Sequence, residues 1–194
     1  FAKKHKVFLV DSHKEKTEKL AKEIKAIYVT DIQKAVKEAD FVLLAVKPQD
    51  LDEVAQMMAP SLNKKQTIIS ILAGVTLETL NKSFGRSQVV RLTPNIALLV
   101  EKAVLGFVQN GVPTKIKGDI EKLFTGLGLI TWIPEERMDA LMALTASGPA
   151  FWLLLIEAFI EGSLILGFHP HESQEYLLQT MEGVIALLRE KHQH

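Results

Sequence analysis

The stretch FVLLAVKPQ, residues 41–49, decides the fold. Phe41–Val46 is an unbroken apolar run, stopped by Lys47-Pro48. A strand with one wet face alternates apolar and polar side chains. A continuous run therefore implies a strand covered on both faces, which is the signature of a parallel sheet. Proline then fixes the turn and removes a ladder donor, so the chain must leave the sheet at Lys47.

The same pattern recurs outward in both directions. Thr67–Leu72 (TIISIL) is apolar and ends at Ala73-Gly74, and Gln88–Leu92 (QVVRL), Val104–Gln109 and Leu129–Ile133 follow as strands. Upstream, Lys6–Val10 (KVFLV) ends at Asp11, and Ile27–Thr30 is rich in β-formers. Helical segments separate them. Glu15–Lys25 carries Leu20, Ala21 and Ile24 on one side, and Ile32–Ala39 is a short helix. Asp50–Ala59 has Asp50 as its expected N-cap, Thr76–Phe84 has Thr76 as N-cap with Gly85 past its end, and Ile116–Leu127 completes the set. Alternating strands and helices predict an α/β fold, a doubly wound parallel sheet. In such sheets ligands lie outside the carboxyl ends of the strands. Asp11, the Ala45–Gln49 turn, the Leu72–Gly74 turn and Thr93–Asn95 are then the candidate positions.

After Pro134 the pattern changes. Glu135–Phe168 is strongly apolar and interrupted only at Gly148-Pro149, and Pro170 opens a second helix running to about Leu188. Two long apolar helices without a sheet partner predict an all-helical domain that buries itself in a partner chain. The expected division is 1–133 for the sheet domain and 134–194 for the helical one.

Composition limits the function classes. The 194 residues carry 23 Lys and Arg against 23 Asp and Glu, a formal net charge of zero. That removes the global electrostatic case for nucleic acid. There is no Cys, hence no disulfide framework, Cys-based zinc site or thiol nucleophile. The opening FAKKHKVFLV has too short an apolar run for a secretory leader. Leu141–Ile156 has no charge, but it is short for a membrane span and contains Ser147, Gly148 and Pro149. An interface helix and a cytoplasmic protein are the expectation, with no membrane partner.

No G-x-G-x-x-G is present; Gly126-Leu127-Gly128 follows a helix and precedes a strand, the reverse of a dinucleotide loop. If the strand ending at Asp11 is second in the sheet, the first strand and its glycine loop lie upstream. Asp11 suits the position that meets a cofactor ribose, whereas His13, Lys14 and Lys16 suit a 2′-phosphate; a solvated, N-capped helix start is the competing reading. Lys47 at a strand end can meet a phosphate or carboxylate, or simply stand in water. His169-Pro170-His171 and His192-Gln193-His194 lack a third ligand at a recognisable spacing, so no metal is expected. Ser147 is not in a G-x-S-x-G elbow. A Ser-Gly-Pro inside an apolar helix nonetheless breaks local rules, which natural sequences tend to do at functional sites.

Taken together, four segments carry a resemblance. Ala45-Val46-Lys47-Pro48-Gln49, Ser70-Ile71-Leu72-Ala73-Gly74, Val89-Val90-Arg91-Leu92-Thr93-Pro94-Asn95 and Met138-Asp139-Ala140 through Leu144-Thr145-Ala146-Ser147-Gly148-Pro149-Ala150-Phe151 occur in this order. The chain resembles pyrroline-5-carboxylate reductase, the last enzyme of proline biosynthesis, along its whole length. The resemblance implies a Rossmann-like domain followed by an all-helical dimerisation domain. It implies hydride transfer from NADPH, with NADH as the alternative donor, to the C=N bond of 1-pyrroline-5-carboxylate, giving L-proline. A homodimer or higher homo-oligomer would form through the Glu135–Leu188 helices.

Residue by residue, the resemblance places Ala45, Val46, Lys47 and Pro48 along the cofactor, with Ala73 and Gly74 passing close to it and Asp11 at its ribose. Asn95 would stand where nicotinamide and substrate meet. Ser147, Gly148 and Pro149 would line the substrate pocket, and Ser147 and Glu135 are the catalytic candidates. Departures also stand out. Ala146 replaces a usual Gly, Phe151 a Tyr, Ile96-Ala97 a Thr-Pro and Ile32 a common Asn. The upstream glycine loop and a downstream Ser-Pro-Gly-Gly-Thr-Thr stretch are expected beyond the chain. A paralogous reductase of another small imino or oxo acid, or a non-catalytic relative keeping fold and dimer, are the alternatives.

Overall fold

The computed structural model describes residues 4–191, so His192-Gln193-His194 lies outside the described residues. The chain divides into two compact units, Phe1–Met142 and Ala143–His194.

In the first unit, β1 (Phe8–Leu9) and β2 (Ile27–Tyr28) pair in parallel, joined by α1 (Lys14–Ile24). α2 (Ile32–Glu38) begins where Asp31 Oδ1 accepts from the amides of Gln33 and Lys34 at 2.9 and 3.2 Å, an N-cap that satisfies two orphan donors. A five-stranded sheet follows in the spatial order β3 (Phe41–Leu44), β4 (Thr67–Ser70), β5 (Gln88–Thr93), β6 (Ala103–Val108) and β7 (Gly128–Ile133). The connecting helices are α3 (Leu51–Met58), α4 (Leu77–Phe84) and α5 (Thr114–Phe124). Among the described residues, β1 has only β2 beside it and β3 has only β4.

The unbroken apolar strands are explained by two core layers. Leu44, Ile68, Val89 and Val108 pack on one side with Leu51, Met58, Leu80 and Phe84. Ile69, Val90, Leu105 and Phe107 pack with Ile120 and Phe124. Successive residues Ile68 and Ile69, or Val89 and Val90, serve opposite layers, as strand pleating requires.

The strands are not all parallel, which corrects the expected sheet at one place. β3, β4 and β5 are parallel and β6 is parallel to β7, but β6 runs antiparallel to β5. Only residues 94–102 connect β5 to β6, and they hold nothing larger than the 3₁₀ turn Ile96–Val100. A parallel return needs a crossover of about a dozen residues or more, so the chain turns back on itself instead. Asp50 immediately precedes α3, the N-cap position expected of it, but it makes no capping bond. It lies inside a 3₁₀ turn (Pro48–Asp50) with φ −92° and ψ 0°. A capping side chain needs an extended backbone at its own residue. Thr76, which is extended, does cap α4, accepting from the Thr79 amide at 3.2 Å.

Past β7, a 3₁₀ turn (Glu135–Arg137) leads into α6 (Met138–Met142), which closes the first unit and buries Met138 in the core. The second unit opens with a π-helical turn, Ala143–Ser147, and continues as α7 (Gly148–Ile165) and α8 (Pro170–Lys191). Pro149 cannot donate an i→i−4 bond, and the π turn is how the helix accommodates it. Within this unit α7 and α8 form a hairpin. The buried Ser173 hydroxyl bonds Ser163 and the His169 carbonyl, and Phe168 meets Tyr176 edge-on with ring centres 6.1 Å apart. The outer surface of α7 is bare: Phe151, Trp152, Leu153, Leu154 and Phe159 are each 60–66% exposed.

Candidate functional site

β3, β4 and β5 are adjacent and parallel, so their carboxyl ends lie side by side. Beyond β3, Ala45 and Lys47 are exposed and Val46 is half-buried against the core. Pro48 starts the 3₁₀ turn, and the Asp50 amide donates to the Lys47 carbonyl at 3.0 Å, fixing the direction in which the chain leaves the sheet. Beyond β4, the Ile71 amide donates to the Leu44 carbonyl at 3.1 Å and Ser70 Oγ accepts from the Leu72 amide at 3.3 Å. These bonds tie the end of β4 to the end of β3. Leu72 is buried, and Ala73 and Gly74 then emerge into solvent.

Gly74 has φ +73°, and a Cβ built there would meet nothing within 4 Å. The glycine is therefore required by its left-handed backbone, and the space above it is open. An exposed backbone at the carboxyl end of a central strand, with Ala45 small beside it and Lys47 exposed, fits a nicotinamide dinucleotide lying across the strand ends.

Beyond β5, Asn95 has its side-chain carbonyl engaged: Oδ1 accepts from the Val104 amide at 3.1 Å, pinning the start of β6. Asp11 stands two residues past β1. Its Oδ1 accepts from the His13 amide at 2.7 Å and lies 3.1 Å from His13 Nδ1. The amide bond foremost, then the ring, hold its pKa below the ordinary 3.8. The sign follows directly. A carboxylate with a depressed folded pKa stabilises above its unfolded value, and that contribution fades as pH falls through the folded one. Asp11 therefore stays ionised across the neutral range. Of the nearby cations, Lys14 Nζ lies 4.0 Å from Glu18.

Glu135 follows β7 in the first unit, and its oxygen Oε1 is doubly engaged. It accepts from Arg91 Nη1 at 2.9 Å and from the Leu77 amide at 2.7 Å. Its own amide donates to Asn110 Oδ1 at 3.3 Å. Arg91 is the residue that motif reading passed over. A charge in the middle of the apolar run QVVRL was the available signal, because a buried guanidinium demands an anion. Ser147, Gly148 and Pro149 belong to the second unit, at the junction of the π turn and α7. Ser147 is exposed and its side chain makes no capping bond. Among the described residues, no group of three or more His, Asp or Glu is placed to hold a metal ion.

Comparison with known proteins covers both units. Residues 135–194 match the family model of pyrroline-5-carboxylate reductase dimerisation, and residues 1–74 match that of the coenzyme F420-dependent NADP oxidoreductases. A pyrroline-5-carboxylate reductase of Aquifex aeolicus is 32% identical over 189 residues, which are 96% of this chain and 70% of that protein. The chain belongs to the pyrroline-5-carboxylate reductase family. The reductase of Synechocystis sp. is 34% identical over 84% of this chain. The chain spans 61% of the length of that protein. Among solved structures, the family member from Coxiella burnetii superposes with a TM-score of 0.86 at 26% identity, covering 96% of this chain and 71% of that one. The Plasmodium falciparum pyrroline carboxylate reductase, solved with NADP bound, gives 0.82 at 25% identity, covering 96% and 69%. The reductase fold is thus a mostly parallel sheet domain followed by helices.

Proposed function

We propose that this protein reduces 1-pyrroline-5-carboxylate to L-proline with a nicotinamide cofactor, the last step of proline biosynthesis, as a cytoplasmic homodimer or higher homo-oligomer. The observation that carries this reading is that the likeness to the reductases runs through both units, with the strand ends suited to a dinucleotide in one and a rule-breaking helix junction in the other. We draw the boundary between the two functional regions at 133/134, just ahead of the dimerisation match at 135–194.

Bound at the strand ends, the cofactor supplies the hydride. Ala45, Val46, Lys47 and Pro48 flank it, Ala73 and Gly74 admit it to the backbone, and Asn95 fixes the near end of β6 beside it. Ser147, Gly148 and Pro149 take the substrate, with amides and the hydroxyl of the π junction facing its carboxylate. A π turn shifts side chains out of helical register, and such turns recur at binding sites. Glu135 is kept as the second catalytic candidate, with Oε1 committed to Arg91 and Leu77.

Oxidation of NADPH and NADH in the presence of racemic pyrroline-5-carboxylate, with proline quantified, tests the whole reading. Cofactor binding without proline formation would refute it. Replacing Ser147 with Leu is expected to raise the pyrroline KM about tenfold while the dimer persists, since one lost charge-assisted contact is worth roughly 1.5–3 kcal/mol. An unchanged KM would remove Ser147 from the pocket.

The donor is NADPH or NADH, and Asp11 weighs on the choice. Its ionised carboxylate suits a ribose 2′-hydroxyl and repels a 2′-phosphate. Asp11→Asn is expected to shift the ratio of NADPH to NADH affinities about fivefold toward NADPH, since one like-charge contact removed is worth about 1 kcal/mol near a surface. Titration of cofactor fluorescence reads this directly, and an unmoved ratio would place Asp11 away from the ribose.

A further inference from the structure

The bonds of Glu135 join three places that are distant in the sequence: the middle of β5, the first turn of α4 and the start of the helical run. Arg91 lies on β5 with its side chain 8% exposed, on the face that packs against α4. Glu135, 26% exposed, sits at 2.9 Å from it. The same oxygen accepts from the Leu77 amide at 2.7 Å. Leu77 is the first residue of α4, so this amide is one of the helix's orphan donors, and a carboxylate there also meets the positive end of the helix dipole. Thr76 satisfies the Thr79 amide, so the two acceptors serve different donors. Only Val75 and Thr76 separate Leu77 from Gly74.

We infer that Arg91 is a positioning residue for cofactor binding: through Glu135 it anchors the start of α4 and so fixes the Ala73-Gly74 turn against which the dinucleotide lies. This rests on the proposed cofactor site. Arg91 itself touches no ligand in this scheme. It orients the Glu135 carboxylate through the 2.9 Å contact. The carboxylate in turn holds the Leu77 amide, and the turn three residues earlier inherits that order. Removing the guanidinium leaves Glu135 with an amide alone and a solvation demand that only rotation toward water meets.

The test compares Arg91→Met, Arg91→Lys and Glu135→Gln in the full-length protein. Three quantities are read: NADPH and NADH dissociation constants, hydrogen exchange at the Leu77 amide, and the KM for cofactor against the KM for pyrroline. Arg91→Met is expected to weaken dinucleotide binding about tenfold and to speed Leu77 exchange by a similar factor, with the cofactor KM raised more than the pyrroline KM. Arg91→Lys restores part of both. Glu135→Gln keeps an acceptor for Leu77 but loses the ion pair, and falls between; it is isosteric and serves if Arg91→Met does not fold. Unchanged dissociation constants in a folded variant would overturn the inference. So would weakened binding with Leu77 exchange as in the wild type. If no variant or wild type forms proline but the binding and exchange effects appear, the reaction assignment fails and the role of Arg91 stands.

Discussion

Glutamate at both Leu155 and Phe159 of α7 is expected to leave the protein monomeric, with proline-forming turnover lost. These positions are one turn apart and share a helix face. Leu155 is 49% and Phe159 66% exposed in the single chain. α7 is apolar on all sides rather than on one stripe, and such a helix is found where it is buried all round. The run Glu135–Ile165 is long and apolar enough to cross a bilayer by length and composition, with only 6% of that window buried. Something must cover it, and the match of residues 135–194 to a dimerisation family supports a second copy as the cover. Each unpaired carboxylate forced into such an interface costs several kcal/mol, and a two-fold interface takes every substitution twice. Light scattering behind size exclusion reads the mass. A dimer with full activity would mean that this face of α7 is not the interface.

The sheet was legible because its message is redundant: a strand buried on both faces must be apolar at every position. The direction of β6 was not, since Val104–Gln109 reads identically up or down; only the short connection 94–102 carried that information. Likewise the Ser-Gly-Pro anomaly showed that the helix would be disturbed at Gly148, while the form of the disturbance, a π turn, depends on backbone register. Glu135 was visible as an acidic residue at a helix start. Its partners were not, because Arg91 is 44 and Leu77 58 residues away. Asn95 shows the same limit: its motif pointed to a ligand, and the fold also gives its carbonyl a structural bond to Val104.

Gly74→Val is expected to weaken dinucleotide binding at least a hundredfold while the protein remains folded. Two effects combine at this position. The first is intrinsic: at φ +73° a side chain is strained, by about 1–2 kcal/mol for an ordinary L-residue and more when β-branched. The second is steric and acts only on the complex. Nothing lies within 4 Å of the Cβ position, so the free protein has room for the valine, and its methyl groups would fill the space proposed for the cofactor. Gly111 separates the two effects. Its φ is +70° and its Cβ position is equally open, yet it follows β6, whose reversed direction carries it away from the carboxyl ends of β3, β4 and β5. Gly111→Val should therefore lower the unfolding free energy by an amount like that of Gly74→Val, or about 2–4 °C in melting temperature per kcal/mol for a chain of this length, and leave cofactor affinity intact. Isothermal titration on both variants, alongside thermal melts, distinguishes them. Equal affinity in Gly74→Val and Gly111→Val would move the dinucleotide off the Ala73-Gly74 turn and leave the left-handed backbone as the whole reason for the glycine.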